Sequence, residues 1–148
     1  EVEQLEKVIT ANLASQVPFV ESVVEYVIKN GGKRLRPILT VLGSKISGYQ
    51  GEASILLGAA VEFMHTASLL HDDVLDNSRL RRNKTTVNKI FGNRVSILAG
   101  DYLLSLAIKK LLSLNNEKIY TIFSLLWHYF QPLVHSKNGC KFPCLAWY

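Results

Sequence analysis

Cysteine is nearly absent: Cys140 and Cys144 are the only two in 148 residues. Two cysteines make no disulfide framework, and without matching ligands nearby they make no zinc site. A reducing, cytoplasmic setting is therefore expected. Missing too is any charge-free apolar run of the roughly 20 residues that a membrane span needs. Residues 53–70 carry Glu62 and His65, residues 95–112 carry Asp101, Lys109 and Lys110, and the uncharged "IYTIFSLLWHYFQPLV" of 119–134 is too short. No membrane span is expected. The opening "EVEQLEKVIT" is acidic and amphipathic, so no signal peptide is read there, and its start on Glu1 rather than Met points to a true start that has been removed. Alternation of apolar and polar residues is absent, as is any repeat, which leaves no sign of a sheet.

What the chain does have is enough greasy sequence for a core. Apolar residues make up 48% and charged residues 20%, and the net charge is +5. That excess permits an anionic partner without choosing one. The apolar positions recur at helical spacing: Leu5, Val8, Ile9 and Leu13, then Val20, Val23, Val24 and Val27. "NGG" at 30–32 breaks the second run, and Pro37 suits the first turn of the next helix. "SGYQG" at 47–51 reads as a turn. The longest helix is expected from about Glu52 to about Asp76, with small residues at Gly58, Ala59, Ala60, Ala67 and Ser68 that let another helix or a ligand come close. "NSRLRRNKTT" at 77–86 reads as a polar loop, a further helix runs from Arg94 to Leu112, and Asn115–Asn116 offers a cap for a segment beginning near Glu117. Helix after helix with short connections predicts an all-α, antiparallel helix bundle.

Residues 115–148 differ in composition from residues 1–114. No acid follows Glu117, and both cysteines, both tryptophans and much of the aromatic content fall there. We expect residues 1–114 to form the N-terminal part of the helical domain and 115–148 an atypical tail, out-of-frame or non-native.

Two charged constellations stand out. "HDDVLD" places Asp72, Asp73 and Asp76 at the end of the long helix. Asp72 and Asp76, four apart, share a face; Asp73 lies about 100° away. Like charges at that spacing, at the negative end of the helix dipole, cost a few tenths of a kcal/mol. A solvated helix end would account for them, but so would a divalent cation, which reverses the sign of that cost. Mg²⁺ is commonly held by one or two carboxylates and substrate phosphates. His65 lies two turns before Asp72 on the same stripe, whereas His71 reads as a satisfied core residue. Arg79, Arg81 and Arg82 follow the acids and suit either a solvated loop or phosphate clamping. The second constellation, "GGKRLRP" at 31–37, sets Lys33, Arg34 and Arg36 at a helix start, a ready anion site. It is not a P-loop, because the Walker spacing is absent. Acids interrupt the basic surface and aromatics are not interleaved with it, so no nucleic acid partner is expected.

"GGKRLRP", "EFMHTASLLHDDVLDNSRLRRNKTT" and "GNRVSILAGDYLL", in this order, resemble the trans-polyprenyl diphosphate synthases over about residues 1–114. The resemblance implies the N-terminal half of an all-α prenyl synthase fold around a central cavity, usually as a homodimer. It implies head-to-tail condensation of isopentenyl diphosphate with an allylic diphosphate. Asp72, Asp73 and Asp76 would form the first aspartate-rich motif, with Asp72 and Asp76 as Mg²⁺ ligands. Arg81 would touch the allylic diphosphate, and Lys33, Arg36, His65 and Arg82 would hold isopentenyl diphosphate. Ala67 and Ser68, five and four residues before the motif, would leave the product tunnel open and imply a long, octaprenyl-type product. The family also carries a second aspartate-rich motif and a lysine–threonine pair; here no aspartate follows Asp101. The expectation is a truncated or frame-shifted synthase keeping one wall of the site, with activity of this chain alone in doubt. A noncatalytic subunit paired with a complete synthase and an inert remnant are the alternatives.

Overall fold

The computed structural model describes residues 2–11, 13 and 18–136. The expectations for Cys140, Cys144 and the stretch after Ser136 lie outside the described residues. Seven helices follow one another among the described residues: α1 (Val2–Ala11), α2 (Pro18–Lys29), α3 (Leu35–Ile46), α4 (Ala53–Leu75), α5 (Val87–Ile90), α6 (Asn93–Ser113) and α7 (Glu117–Ser136). The fold is all-α, as the periodicity predicts. Between α4 and α5 the chain also forms a small antiparallel hairpin, β1 (Leu80–Arg81) with β2 (Lys84–Thr85). The polar-loop reading of 77–86 is corrected on this point. Strands of two residues are too short to show alternation. The turn between them is made by Arg82 and Asn83, both at positive φ (51° and 62°), as a type I′ hairpin turn requires. Arginine at that position gives no turn signal. The single-turn α5 escaped notice for the same reason of length.

The helix ends follow from local chemistry. Pro18 opens α2, where its missing N–H would have had no helical partner. α3 and α4 both close on a left-handed residue, Gly48 (φ 82°) and Asn77 (φ 49°). Gly48 N–H donates to Lys45 O at 2.9 Å and Tyr49 N–H to Ser44 O at 3.0 Å, while Asn77 and Ser78 bond Val74 O and Asp73 O at 3.1 and 2.9 Å. Both are Schellman closures. Asn116 caps α7 as expected: its Oδ1 accepts from Lys118 N–H at 3.1 Å and Ile119 N–H at 3.3 Å.

Backbone contacts divide the chain into two compact units, Glu1–Leu114 and Asn115–Tyr148. In the first, α4 is the central element. It packs most extensively on α6, then on α3 and α1. Both α4 and α6 bury small residues, Ala59, Ala60 and Ala67 on one and Ala99 and Ala107 on the other, around the larger Phe63 and Leu103. At Gly58 a side chain would meet Pro37 O at 3.2 Å, so α3 seats directly against the α4 backbone. By length and composition alone α4 could cross a membrane, against expectation. Half of its most apolar stretch is buried inside the protein, and it carries Glu62 in an ion pair, which marks it as a core helix.

That ion pair ties three segments together. Arg34 Nε donates to Glu6 Oε1 of α1 at 2.9 Å, Nη1 to Glu62 Oε1 of α4 at 2.8 Å, and Nη2 to Ile28 O of α2 at 2.8 Å. The Arg34 and Glu62 side chains are only 10% and 7% exposed. Burial pulls the guanidinium pKa down, but the bonds to Glu6 and Glu62 outweigh it and the net direction is up. Removing one partner of a buried pair strands the other, at about 3–5 kcal/mol. Arg34→Ala, which strands the buried Glu62 carboxylate, should therefore lower unfolding free energy by about that much in urea titration. Glu3→Ala, which breaks only the exposed Glu3–Lys7 pair, should change it by less than about 1 kcal/mol. Equal effects would show that the Arg34 pairs do not hold the fold.

Candidate functional site

Seven charged or titratable residues singled out in the sequence line one open cavity of about 140 Å³: Lys33, Arg34, Arg36, His65, Asp73, Arg81 and Arg82. They come from separate places. Lys33 sits in the turn after α2, Arg36 in the first turn of α3, His65 midway along α4, Arg81 at the end of β1 and Arg82 in the hairpin turn. Helix α4 supplies the wall, through Glu62, Thr66, Leu69 and Asp73 with His65 and Leu70 at its edges.

That wall corrects the expected face. The sequence placed His65 on a stripe with Asp72 and Asp76 and set Asp73 aside. In the structure His65 and Asp73 line the cavity, whereas Asp72 and Asp76 are not on its lining. Helical spacing groups His65 with Asp72, but it does not say on which side of His65 the cavity opens. The hairpin decides that by folding back on the Asp73 side. Arg81 Nε lies 2.9 and 3.0 Å from the two Asp73 carboxylate oxygens, and Arg81 Nη2 lies 2.8 Å from Oδ1. Asp73 is 4% exposed, so its charge is compensated by a fork of charged donors. Its backbone carbonyl is held as well, by Ser78 N–H at 2.9 Å and by Asn88 Nδ2 at 3.0 Å.

The glycines of "GGKRLRP" serve contact more than freedom. A side chain at Gly32 would collide with the Arg82 guanidinium, so the missing Cβ makes room for that group against the loop. Arg34, expected to join Lys33 and Arg36 as an anion ligand, is instead occupied by Glu6 and Glu62. The hairpin is fastened to α2: Tyr26 OH donates to Thr85 O at 3.3 Å and Lys84 Nζ to Asn30 Oδ1 at 2.6 Å. Sequence reasoning missed Tyr26, Asn30, Lys84 and Asn88, because their partners lie 15 to 59 residues away. Only the "RRNK" run around Lys84 offered a hint.

The cavity is electropositive. Burial, followed by the charges of Arg36, Arg81 and Arg82, holds the His65 pKa down at about 4. The imidazole is neutral at neutral pH, with one ring nitrogen to donate and one to accept. The remaining expected residues lie elsewhere. Ala67 is 1% exposed, and Ser68 Oγ donates to His65 O of its own helix at 2.8 Å; neither lines the cavity. Arg79 is exposed and off the lining. His71, expected in the core, is only partly buried and sits 3.3 Å from Asp101 Oδ1.

No group of three or more His, Cys, Asp or Glu side chains is placed to cage a metal ion among the described residues. The last turn of α4 and its cap offer Asp72 and Asp76, two oxygen ligands one turn apart. That donor set fits a hard cation completed by phosphate oxygens and water, not one enclosed by protein alone.

Known proteins resemble this chain in sequence and fold. The sequence model of the polyprenyl synthetase family matches residues 17–129, running past the 1–114 stretch of the expected resemblance. The octaprenyl diphosphate synthase of Escherichia coli is 41% identical over 116 residues, covering 78% of this chain and 36% of that protein. A crystal structure of a polyprenyl synthase from Caulobacter crescentus, complexed with calcium and isoprenyl diphosphate, superposes with a TM-score of 0.80 at 39% identity, over 83% of this chain and 38% of that one. A decaprenyl diphosphate synthase from Rhodobacter capsulatus gives 0.79 at 38% identity, over 83% and 38%. This chain thus spans about 36% of the length of the curated relatives it matches, rather than half.

His65 provides a test of the cavity's field. Its pKa falls from 6.5 in the unfolded chain to about 4 in the folded one. Between those values the unfolded chain binds a proton that the folded chain does not, so stability from this group rises with pH across 4 to 6.5 and is level above it. Thermal melts of wild type and His65→Gln should diverge in slope only within that window, and the imidazole NMR signals should titrate near pH 4. Titration near 6.5 would remove the electropositive cavity from the account.

Proposed function

The chain belongs to the polyprenyl synthetase family, and from that footing we propose that it carries the isopentenyl diphosphate pocket and the first acidic wall of a long-chain trans-polyprenyl diphosphate synthase. The observation that carries this reading is the convergence of Lys33, Arg36, His65, Arg81 and Arg82 on one cavity. In the proposal, Lys33, Arg36 and Arg82 hold isopentenyl diphosphate by charge, and neutral His65 adds a hydrogen bond. Arg81, aimed by Asp73, faces the allylic diphosphate and stabilises charge as it departs. Asp72 and Asp76 hold Mg²⁺, which when bound neutralises the leaving diphosphate. The allylic C–O bond breaks with its electron pair leaving on the diphosphate, the isopentenyl double bond attacks the resulting carbocation, and the proton then lost passes to the released diphosphate, so no protein nucleophile is required.

Ala67 and Ser68 are small, and Ser68 turns its hydroxyl back to its own helix, which supports an open tunnel. The octaprenyl and decaprenyl names of relatives support a long product of the same kind. The family's facing acidic motif is not in this sequence, where no aspartate follows Asp101. Relatives named as component 2 of a heptaprenyl diphosphate synthase and as large subunit of a heterodimeric geranylgeranyl pyrophosphate synthase favour a second reading. In it the chain is a helical subunit working beside a complete synthase; a homodimer is the corresponding assembly for an active chain.

Calorimetry with isopentenyl diphosphate should detect binding to the purified chain. Arg82→Gln should weaken it about tenfold or more, the worth of a charge-assisted bond. Asp72→Ala should leave that binding intact while abolishing any product that the chain alone makes from farnesyl diphosphate, labelled isopentenyl diphosphate and Mg²⁺. A wild-type chain that binds no diphosphate would sink the proposal. No product from the chain alone, with product in the mixture above that of a complete synthase by itself, would select the subunit reading.

A further inference from the structure

The hairpin brings one more cation to the cavity. Lys84 is the direct cross-strand partner of Arg81. Opposed residues of an antiparallel pair project from the same face. Arg81 faces the cavity, where it grips Asp73, so Lys84 faces it too, and it is part of the lining. Its ammonium is held at 2.6 Å by Asn30 Oδ1, a neutral amide that also lines the cavity just past the end of α2. The neighbouring guanidinium groups are treated differently: Arg81 rests on the carboxylate of Asp73, and Arg34 on those of Glu6 and Glu62.

A lysine held by an amide keeps its full charge and loses little by changing partner. A phosphate oxygen carries the opposite charge that the amide oxygen of Asn30 lacks, so Coulomb attraction favours transfer of the ammonium to a phosphate entering the cavity. The backbone that delivers the ammonium stays in place, because Tyr26 OH holds Thr85 O independently. The Lys84 side chain is exposed on its long flexible stem, which lets the head move while β2 does not.

We propose that Lys84 is a substrate-contacting residue of this site: it rests on Asn30 and transfers its ammonium to a phosphate oxygen of the bound diphosphate. The inference rests on the reading of the cavity as a diphosphate pocket. It is tested by calorimetry on the full chain with isopentenyl diphosphate, in wild type, Lys84→Gln, Lys84→Arg, Asn30→Asp and Lys109→Gln. The last removes the same charge from the exposed side of α6. Lys84→Gln is expected to weaken binding about tenfold, and Lys84→Arg to recover most of it. Asn30→Asp should also weaken binding, because a carboxylate at 30 competes with phosphate for the ammonium. Lys109→Gln should bind as wild type does. Were Lys84 only a strap between β2 and α2, Asn30→Asp would tighten the strap and leave affinity unchanged or improved. Affinity in Lys84→Gln equal to that in Lys109→Gln, or in Asn30→Asp equal to wild type, overturns the proposal. If wild type binds and Arg82→Gln loses binding while Lys84→Gln keeps it, only Lys84 is misassigned. If wild type does not bind, the pocket reading fails as a whole.

Discussion

A buried guanidinium organises this unit. Arg34 reaches from the turn before α3 to carboxylates on α1 and α4 and to a carbonyl at the end of α2, so four helices share one charged group. Burying that charge is tolerable because each of its three nitrogens donates to an acceptor, two of them carboxylates. The backbone at Arg34 is left-handed, φ 52°, a conformation that costs a non-glycine residue energy and persists where surroundings enforce it. With that residue pinned inward, Lys33 and Arg36 on either side are exposed and both line the cavity. Of these three cations, Arg34 is committed to carboxylates of the scaffold, whereas Lys33 and Arg36 are exposed at the cavity.

The second organising contact is Arg81 on Asp73. It joins the hairpin to the last turn of α4, and Asn88 and Ser78 fasten the same turn through the Asp73 carbonyl. The middle aspartate of the acidic triplet is therefore internally committed. The triplet divides by geometry into a positioning acid, Asp73, and two acids one helical turn apart, Asp72 and Asp76.

Much of this was legible in the sequence, and the failures have physical reasons. Helices α1 to α4 and α6 follow from 3.6-residue periodicity and local punctuation such as Pro37 and Asn116, which act within a few residues. Lys33, Arg36, His65, Arg81 and Arg82 stood out because each sits in a short charged run. Arg34 looked the same as its neighbours, since its partners Glu6 and Glu62 are both 28 residues away. The hairpin was hidden because its turn residues, Arg82 and Asn83, carry no glycine. Periodicity groups His65 with Asp72 and Asp76, but which of the α4 residues line the cavity with Asp73 depends on where the hairpin lands.

The crowding of Arg36, Arg81 and Arg82 around a neutral His65 has a thermodynamic corollary. Like charges gathered in a half-enclosed space repel one another, and the folded chain carries that repulsion whenever no counterion is present. Any multivalent anion that settles there relieves it, and it binds the native state while gaining nothing comparable from the unfolded one. Folding and anion occupancy are thus linked equilibria. If the cavity takes up such an anion, the resistance of this chain to heat becomes in part a property of the buffer in which it is dissolved, higher in phosphate or sulfate than in chloride of equal ionic strength.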